Sequence, residues 1–207
     1  MIVSHDKKFV FIHVYKVAGQ SVRAALNDYV EKPETAIGRL AERVSQLGWL
    51  NRFRSISPHA TALQAREHLG HEVYDSYFTF AFVRNPWDWQ VSLYHFMKQS
   101  PLHPQYWLSR QFSDFDDYIE WRCKSDRKLQ KSFLTDAHGK LIVDYIGRFE
   151  TLNEDFAKIC DKVGIESKLP HKNRSKHEGY KKYYNDKTRA LVAEYFAEDI
   201  EFFDYQF

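Results

Sequence analysis

Two short runs constrain this chain more than any other feature. Residues 8–14 read KFVFIHV and residues 77–83 read YFTFAFV, both rich in aromatic and β-branched side chains. A strand with one wet face alternates apolar and polar residues, whereas a strand covered on both faces does not. The two runs therefore predict inner strands of a covered sheet. Each breaks at polar residues and passes into a helical pattern. After the first come residues 20–29, with Val22, Ala25, Leu26 and Tyr29 on one face, stopped by Pro33. After the second come residues 86–98, opened by Pro86.

The alternation continues along the chain. Helical patterns cover 34–47, 58–69 (Pro58 in the first turn, Gly70 as the cap), 112–121, 152–163 (capped by Gly164) and 188–197. A third strand is expected within 141–149. Strands separated by helices indicate an α/β fold with a central, mostly parallel sheet and helices on both faces, in three layers. A chain of 207 residues is of a size for one domain, so the expectation is a single domain over 1–207.

The two strand-to-helix junctions carry the chemistry. The first, within FIHVYKVAGQSVRAAL (11–26), places Lys16, Gly19 and Ser21 where a loop opens a helix. Such a loop aims main-chain N–H groups and the positive helix end at one point, which suits a phosphate. An ordinary turn with a solvated lysine reads the same way. The motif is not the nucleotide-triphosphatase P-loop, whose lysine follows the second glycine. The second junction, FAFVRNPWDWQVSLY (80–94), sets Arg84 at a strand's carboxyl end and Ser92 two turns into the helix. Ligands of open α/β sheets bind at that edge, and a guanidinium with a hydroxyl makes a phosphate clamp. The alternative is a structural ion pair between Arg84 and Asp88. Two anion sites imply a ligand with two separated anionic groups.

These loops resemble those of the sulfotransferase family, particularly its carbohydrate and heparan branch. Its first loop reads like HIPKTGGTS, and HVYKVAGQS keeps His13, Lys16, Gly19 and Ser21 while carrying Tyr15, Ala18 and Gln20 at varied positions. Its second reads like RNPYDRxVSxY, matched by Arg84, Asn85, Pro86, Asp88, Val91, Ser92 and Tyr94. IGRFETLNEDF and the closing YFAEDIEFFDYQF extend the likeness over nearly the whole chain. The resemblance implies a P-loop-like fold and 3'-phosphoadenosine 5'-phosphosulfate (PAPS) as co-substrate, leaving 3'-phosphoadenosine 5'-phosphate (PAP). It implies that Lys16 contacts the 5'-phosphate, with Ala18, Gly19, Gln20 and Ser21 as surrounding donors. Arg84 and Ser92 would hold the 3'-phosphate. The acceptor would be a hydroxyl, that of a saccharide.

Proton removal from that hydroxyl needs a base. His59, expected at the start of the 58–69 helix, titrates in the right range; Glu150, near a strand end, is the alternative. The basic, tyrosine-bearing stretch 171–189 reads as a flap over the nucleotide, with Asn173, Ser175 and Tyr180 as contacts. No metal is expected: there is no HExxH, no CxxC and no calcium loop, and lysine with loop dipoles can neutralise the site. Cys123 and Cys160 match no metal spacing and read as reduced thiols. No run reaches a membrane-spanning length, so a soluble cytoplasmic protein is expected. A net charge of +2 does not argue for nucleic acid. Two other classes share some of these features. An ATP-dependent kinase lacks its GxxxxGK[ST] and acidic metal ligand here, and a non-catalytic polyanion-binding module would not distinguish nucleotides. Acceptor contacts would come from loops 39–57 and 99–113, with Trp49, Tyr106 and Trp107 able to stack on sugar rings or to serve as core.

Overall fold

The computed structural model describes residues 1–30, 57–125, 128–170 and 179–207. These fall into two compact units, Met1–Val83 with Phe133–Lys172 and Arg84–Ser132 with Asn173–Phe207. The expected 34–47 helix lies outside the described residues, as do Trp49, Asn173 and Ser175.

The first unit holds a four-stranded sheet in the order β1 (Ile2–Ser4), β2 (Phe9–Ile12), β3 (Phe78–Val83), β4 (Tyr145–Arg148). β2–β3 and β3–β4 are parallel, and β1 adds an antiparallel edge. The two apolar runs are the two central strands, as their composition requires. All four residues of β2 are fully buried, and Phe11 stacks on Phe80 with ring centroids 5.3 Å apart. Each buried aromatic ring removes enough apolar surface to contribute about 1.5–3 kcal/mol. Helices α1 (Gly19–Leu26), α2 (Ala62–Leu69) and α3 (His71–Ser76) lie between β2 and β3, and α7 (Leu152–Val163) follows β4. Register brings the carboxyl ends of β2 and β3 side by side, Ile12 opposite Ala81.

The second unit is helical: α4 (Pro86–Gln99), α5 (Tyr106–Ser109), α6 (Phe115–Ser125), α8 (Asp186–Tyr195) and α9 (Ala197–Phe202). No helix among the described residues is long and apolar enough to cross a membrane.

Several boundaries differ from the expected ones for identifiable reasons. α2 starts at Ala62 rather than Pro58, because Thr61 and Gln64 form a reciprocal capping box. His59 therefore lies in the turn before the helix. α8 starts two residues early for the same cause, an Asn185–Thr188 box. The expected strand 141–149 shrinks to β4, because Asp136 accepts from the N–H groups of His138 and Lys140 and folds the preceding chain into a turn. Leu141 bridges back to Thr135 instead of extending β4. Gly147 in β4 has to be glycine, since a Cβ there would lie 2.4 Å from the Phe82 ring. Asp155 of α7 accepts from Arg148 N–H and from the Thr151 and Tyr145 hydroxyls, tying β4 to its following helix.

Candidate functional site

The first loop leaves β2 at Ile12 and enters α1 at Gly19. Its backbone is unusual. Lys16 (φ 64°) and Ala18 (φ 63°) are both left-handed, two of the four non-glycine residues with positive φ among those described. Left-handed geometry costs an L-residue roughly 1–2 kcal/mol. The cost persists only where surroundings impose it, and such outliers cluster at ligand clamps. Here Val17, fully buried, anchors the loop between them. Ala18 is the N-cap of α1 but contributes no side-chain cap, and its carbonyl accepts from Ser21 and Val22 N–H. The first-turn N–H groups of Gly19 and Gln20 have no intrahelical acceptor, which is the arrangement that binds anions. Ser21 is 6% exposed, with Gln20 exposed beside it.

Glycine at 19 has a second reason in the structure. A Cβ there would lie 1.7 Å from Nε2 of His13. The His13 ring occupies that space and packs against His59, with ring centroids 4.4 Å apart. Gly19→Ala is expected to displace the His13 ring and to cost roughly 1–3 kcal/mol of stability, the usual penalty of overpacking. In a His13→Ala background the same change should cost under about 0.5 kcal/mol. Urea unfolding of the four proteins in this cycle measures the coupling, and additive costs would show that the two residues do not compete for the space.

His59 sits beside the loop, its ring 6.3 Å from that of Tyr15. Its Nδ1 is 3.0 Å from the His13 carbonyl oxygen. A carbonyl only accepts, so Nδ1 carries the proton and the neutral ring keeps its lone pair on Nε2. Partial burial against these rings lowers the His59 pKa, opposed by the hydrogen bond to His13 and reinforced by the Met1 ammonium. Burial also holds His13 well below the ordinary histidine range, with His59 as the next cause. Both imidazoles are neutral at neutral pH. Glu150, the alternative base, is exposed two residues past β4.

The second loop explains its own sequence. Asn85 is the N-cap of α4, its side chain accepting from Trp87 N–H, and Pro86 takes the first helical position. Arg84 directly follows β3 and is 3% exposed. Its Nε donates to Asp88 Oδ2 at 2.7 Å. The structural ion pair weighed from sequence is therefore present. It orients the guanidinium through the Nε–H donor. Asp88 and Ser92 stand one turn apart on α4, so Ser92 (8% exposed) continues the same helix face.

Tyr180 joins this loop: Asn85 Nδ2 lies 3.4 Å from its hydroxyl and donates to the Gln206 carbonyl at 2.7 Å. Trp107 is 77% exposed in α5, so it is not a core residue. The composition-based reading missed Gln130, whose fully buried amide grips the Arg84 main chain on both sides. No local pattern signals a contact across 46 residues.

Comparison with known proteins bears on the family and the fold. The profile of the Sulfotransferase family matches residues 1–206. An uncharacterised protein of Archaeoglobus fulgidus is 31% identical over 125 residues, which are 58% of this chain and 97% of that protein. Among solved structures, mouse sulfotransferase SULT7A1 complexed with PAP superposes with a TM-score of 0.58 at 15% identity, covering 96% of this chain and 86% of that one.

Proposed function

Because the chain belongs to the sulfotransferase family, whose chemistry is sulfuryl transfer, we propose that residues 1–207 act as one catalytic domain that sulfates a carbohydrate hydroxyl from PAPS. The observation that carries the two-phosphate part of this reading is the second loop, where a buried Arg84 is oriented by Asp88 one turn ahead of Ser92. That donor set fits the phosphate on the ribose 3' position. The left-handed pair Lys16 and Ala18 fits the 5' end, with N–H donors from Gly19 and Gln20 and the Ser21 hydroxyl. Tyr180 is a nucleotide contact in this reading, and Asn173 and Ser175 are assigned with it from the sequence alone.

PAPS supplies an activated sulfuryl group on a phosphate leaving group. Lys16 stabilises the negative charge that grows on that phosphate as the S–O bond breaks. His59 removes the acceptor proton through Nε2, for which the Nδ1–H bond to His13 fixes the tautomer. Positioning and charge stabilisation then do most of the work, as in phosphoryl transfer. No metal is assigned a role. Trp107, an exposed indole, supports a saccharide acceptor by offering a stacking face.

The test is transfer of labelled sulfate from PAPS to a panel of saccharides, with PAP release followed in parallel. Transfer to at least one saccharide is expected. PAP release with phenolic or steroid alcohols only would replace the acceptor class, and phosphoryl transfer from ATP would overturn the reading.

The base has its own signature. A base works deprotonated, so kcat should rise with pH through a pKa below 6.5 and stay flat above it, since burial lowers His59. His59→Gln is expected to reduce kcat by about 10²–10⁴-fold and to abolish that acidic limb. An unchanged limb would transfer the role to a carboxylate such as Glu150. The stability linkage has the same sign: His59 contributes fully above its unfolded pKa, and the contribution fades as pH falls through the lowered folded one.

A further inference from the structure

Arg84 stands where β3 has ended and α4 has not begun, so neither sheet nor helix supplies its main-chain partners. Gln130 supplies them. Its Oε1 accepts from Arg84 N–H at 2.9 Å, and its Nε2 donates to the Arg84 carbonyl at 2.8 Å. One primary amide thus pairs both main-chain groups of one residue, as a neighbouring strand would. Gln130 is fully buried, and water does not compete. It is itself held, because its N–H donates to Asp199 Oδ2 at 2.8 Å while Lys131 N–H donates to Oδ1 at 2.8 Å.

Asp199, at the first turn of α9, is fully buried as well. Burial raises its carboxyl to about 6, with the two N–H donors and Lys131 opposing and Glu198 adding to the rise. The anion is kept at neutral pH despite its burial, so its two N–H partners matter to it. Asp88 holds the side chain of Arg84 through Nε, and Gln130 holds the main chain from which that side chain extends.

We infer that Gln130 is a positioning residue: its amide fixes the main chain of Arg84, and Asp199 fixes Gln130, so that the guanidinium meets the 3'-phosphate in one orientation. The inference rests on the assignment of Arg84 to the 3'-phosphate. Only a primary amide carries a donor and an acceptor at the required spacing. Glutamate would place an oxygen against the Arg84 carbonyl, and leucine would leave two buried main-chain groups unpaired.

The readout is the ratio of affinities for PAP and adenosine 5'-monophosphate, by calorimetry, in wild type, Arg84→Ala, Gln130→Ala and Gln130→Glu. The wild-type ratio should collapse towards unity in Arg84→Ala. In both Gln130 variants it should fall by about tenfold or more, because small misplacements of a clamp are expensive. Affinity for the monophosphate should stay within about twofold of wild type. The isosteric Gln130→Glu carries the test if the alanine variant does not fold. An unchanged ratio overturns the inference, as does an equal loss for both nucleotides. Failure of both variants to fold also overturns it, marking Gln130 as structural. A wild type without a ratio to lose would overturn the Arg84 assignment instead.

Discussion

Arg84→Ala is expected to weaken PAP binding by about 10²–10³-fold while leaving adenosine 5'-monophosphate binding within a few-fold. Charge-assisted hydrogen bonds to a phosphate contribute about 1.5–3 kcal/mol each, and a guanidinium makes two of them in parallel. Arg84 is 3% exposed, so these bonds form where water competes poorly. Arg84→Lys separates charge from geometry. A lysine keeps the charge but loses the planar fork and the Nε donor that Asp88 takes. It should recover only a small part of the loss. Both variants also take the Arg84 Nε–H donor away from the Asp88 carboxylate, which is 13% exposed. Each should unfold at lower temperature for that reason, and affinities are to be compared below the melting range. Calorimetric titration at fixed ionic strength decides it: equal losses for the two nucleotides would remove Arg84 from the 3'-phosphate.

Lys16→Met is the counterpart at the other junction, and its effect should fall on kcat. The charge that lysine answers is larger in the transition state than in bound PAPS. Removing one such donor typically costs about 10²–10³-fold in rate. PAP affinity should fall by less than about tenfold. The backbone supplies an internal control. Lys16 is left-handed at φ 64°, so Lys16→Gly relieves strain while deleting the amine. That variant should be at least as stable as wild type and as inactive as Lys16→Met. Single-turnover transfer with saturating PAPS, beside urea unfolding, separates the two effects. Retained kcat in a well-folded Lys16→Gly protein would assign the charge stabilisation to the loop N–H groups alone.

Much of the fold was legible beforehand because its signals are local. Non-alternating apolar runs identified β2 and β3, and Gly164 marked the end of α7. Pro86 opened α4, as its fixed φ suits a first helical position. Local signals also explain what slipped. The capping boxes at Thr61 and Asn185 were present in the sequence but compete with a proline and with a charged loop for the same boundary. A three-residue edge strand such as β1 has too short a pattern to register.

That two strand ends would each carry a cation at a loop opening a helix could be read along the chain, because strand burial, proline and glycine placement, and N-capping act within a few residues. How those cations are held depends on groups far apart in sequence. The Gln130 amide reaches Arg84 across 46 residues, and Asp199 reaches Gln130 across 69. The His13 ring claims the space beside Gly19 and sets His59 through its carbonyl. Such contacts join groups whose separation along the chain has no period, and their energy comes from excluding water, which only a packed interior can do.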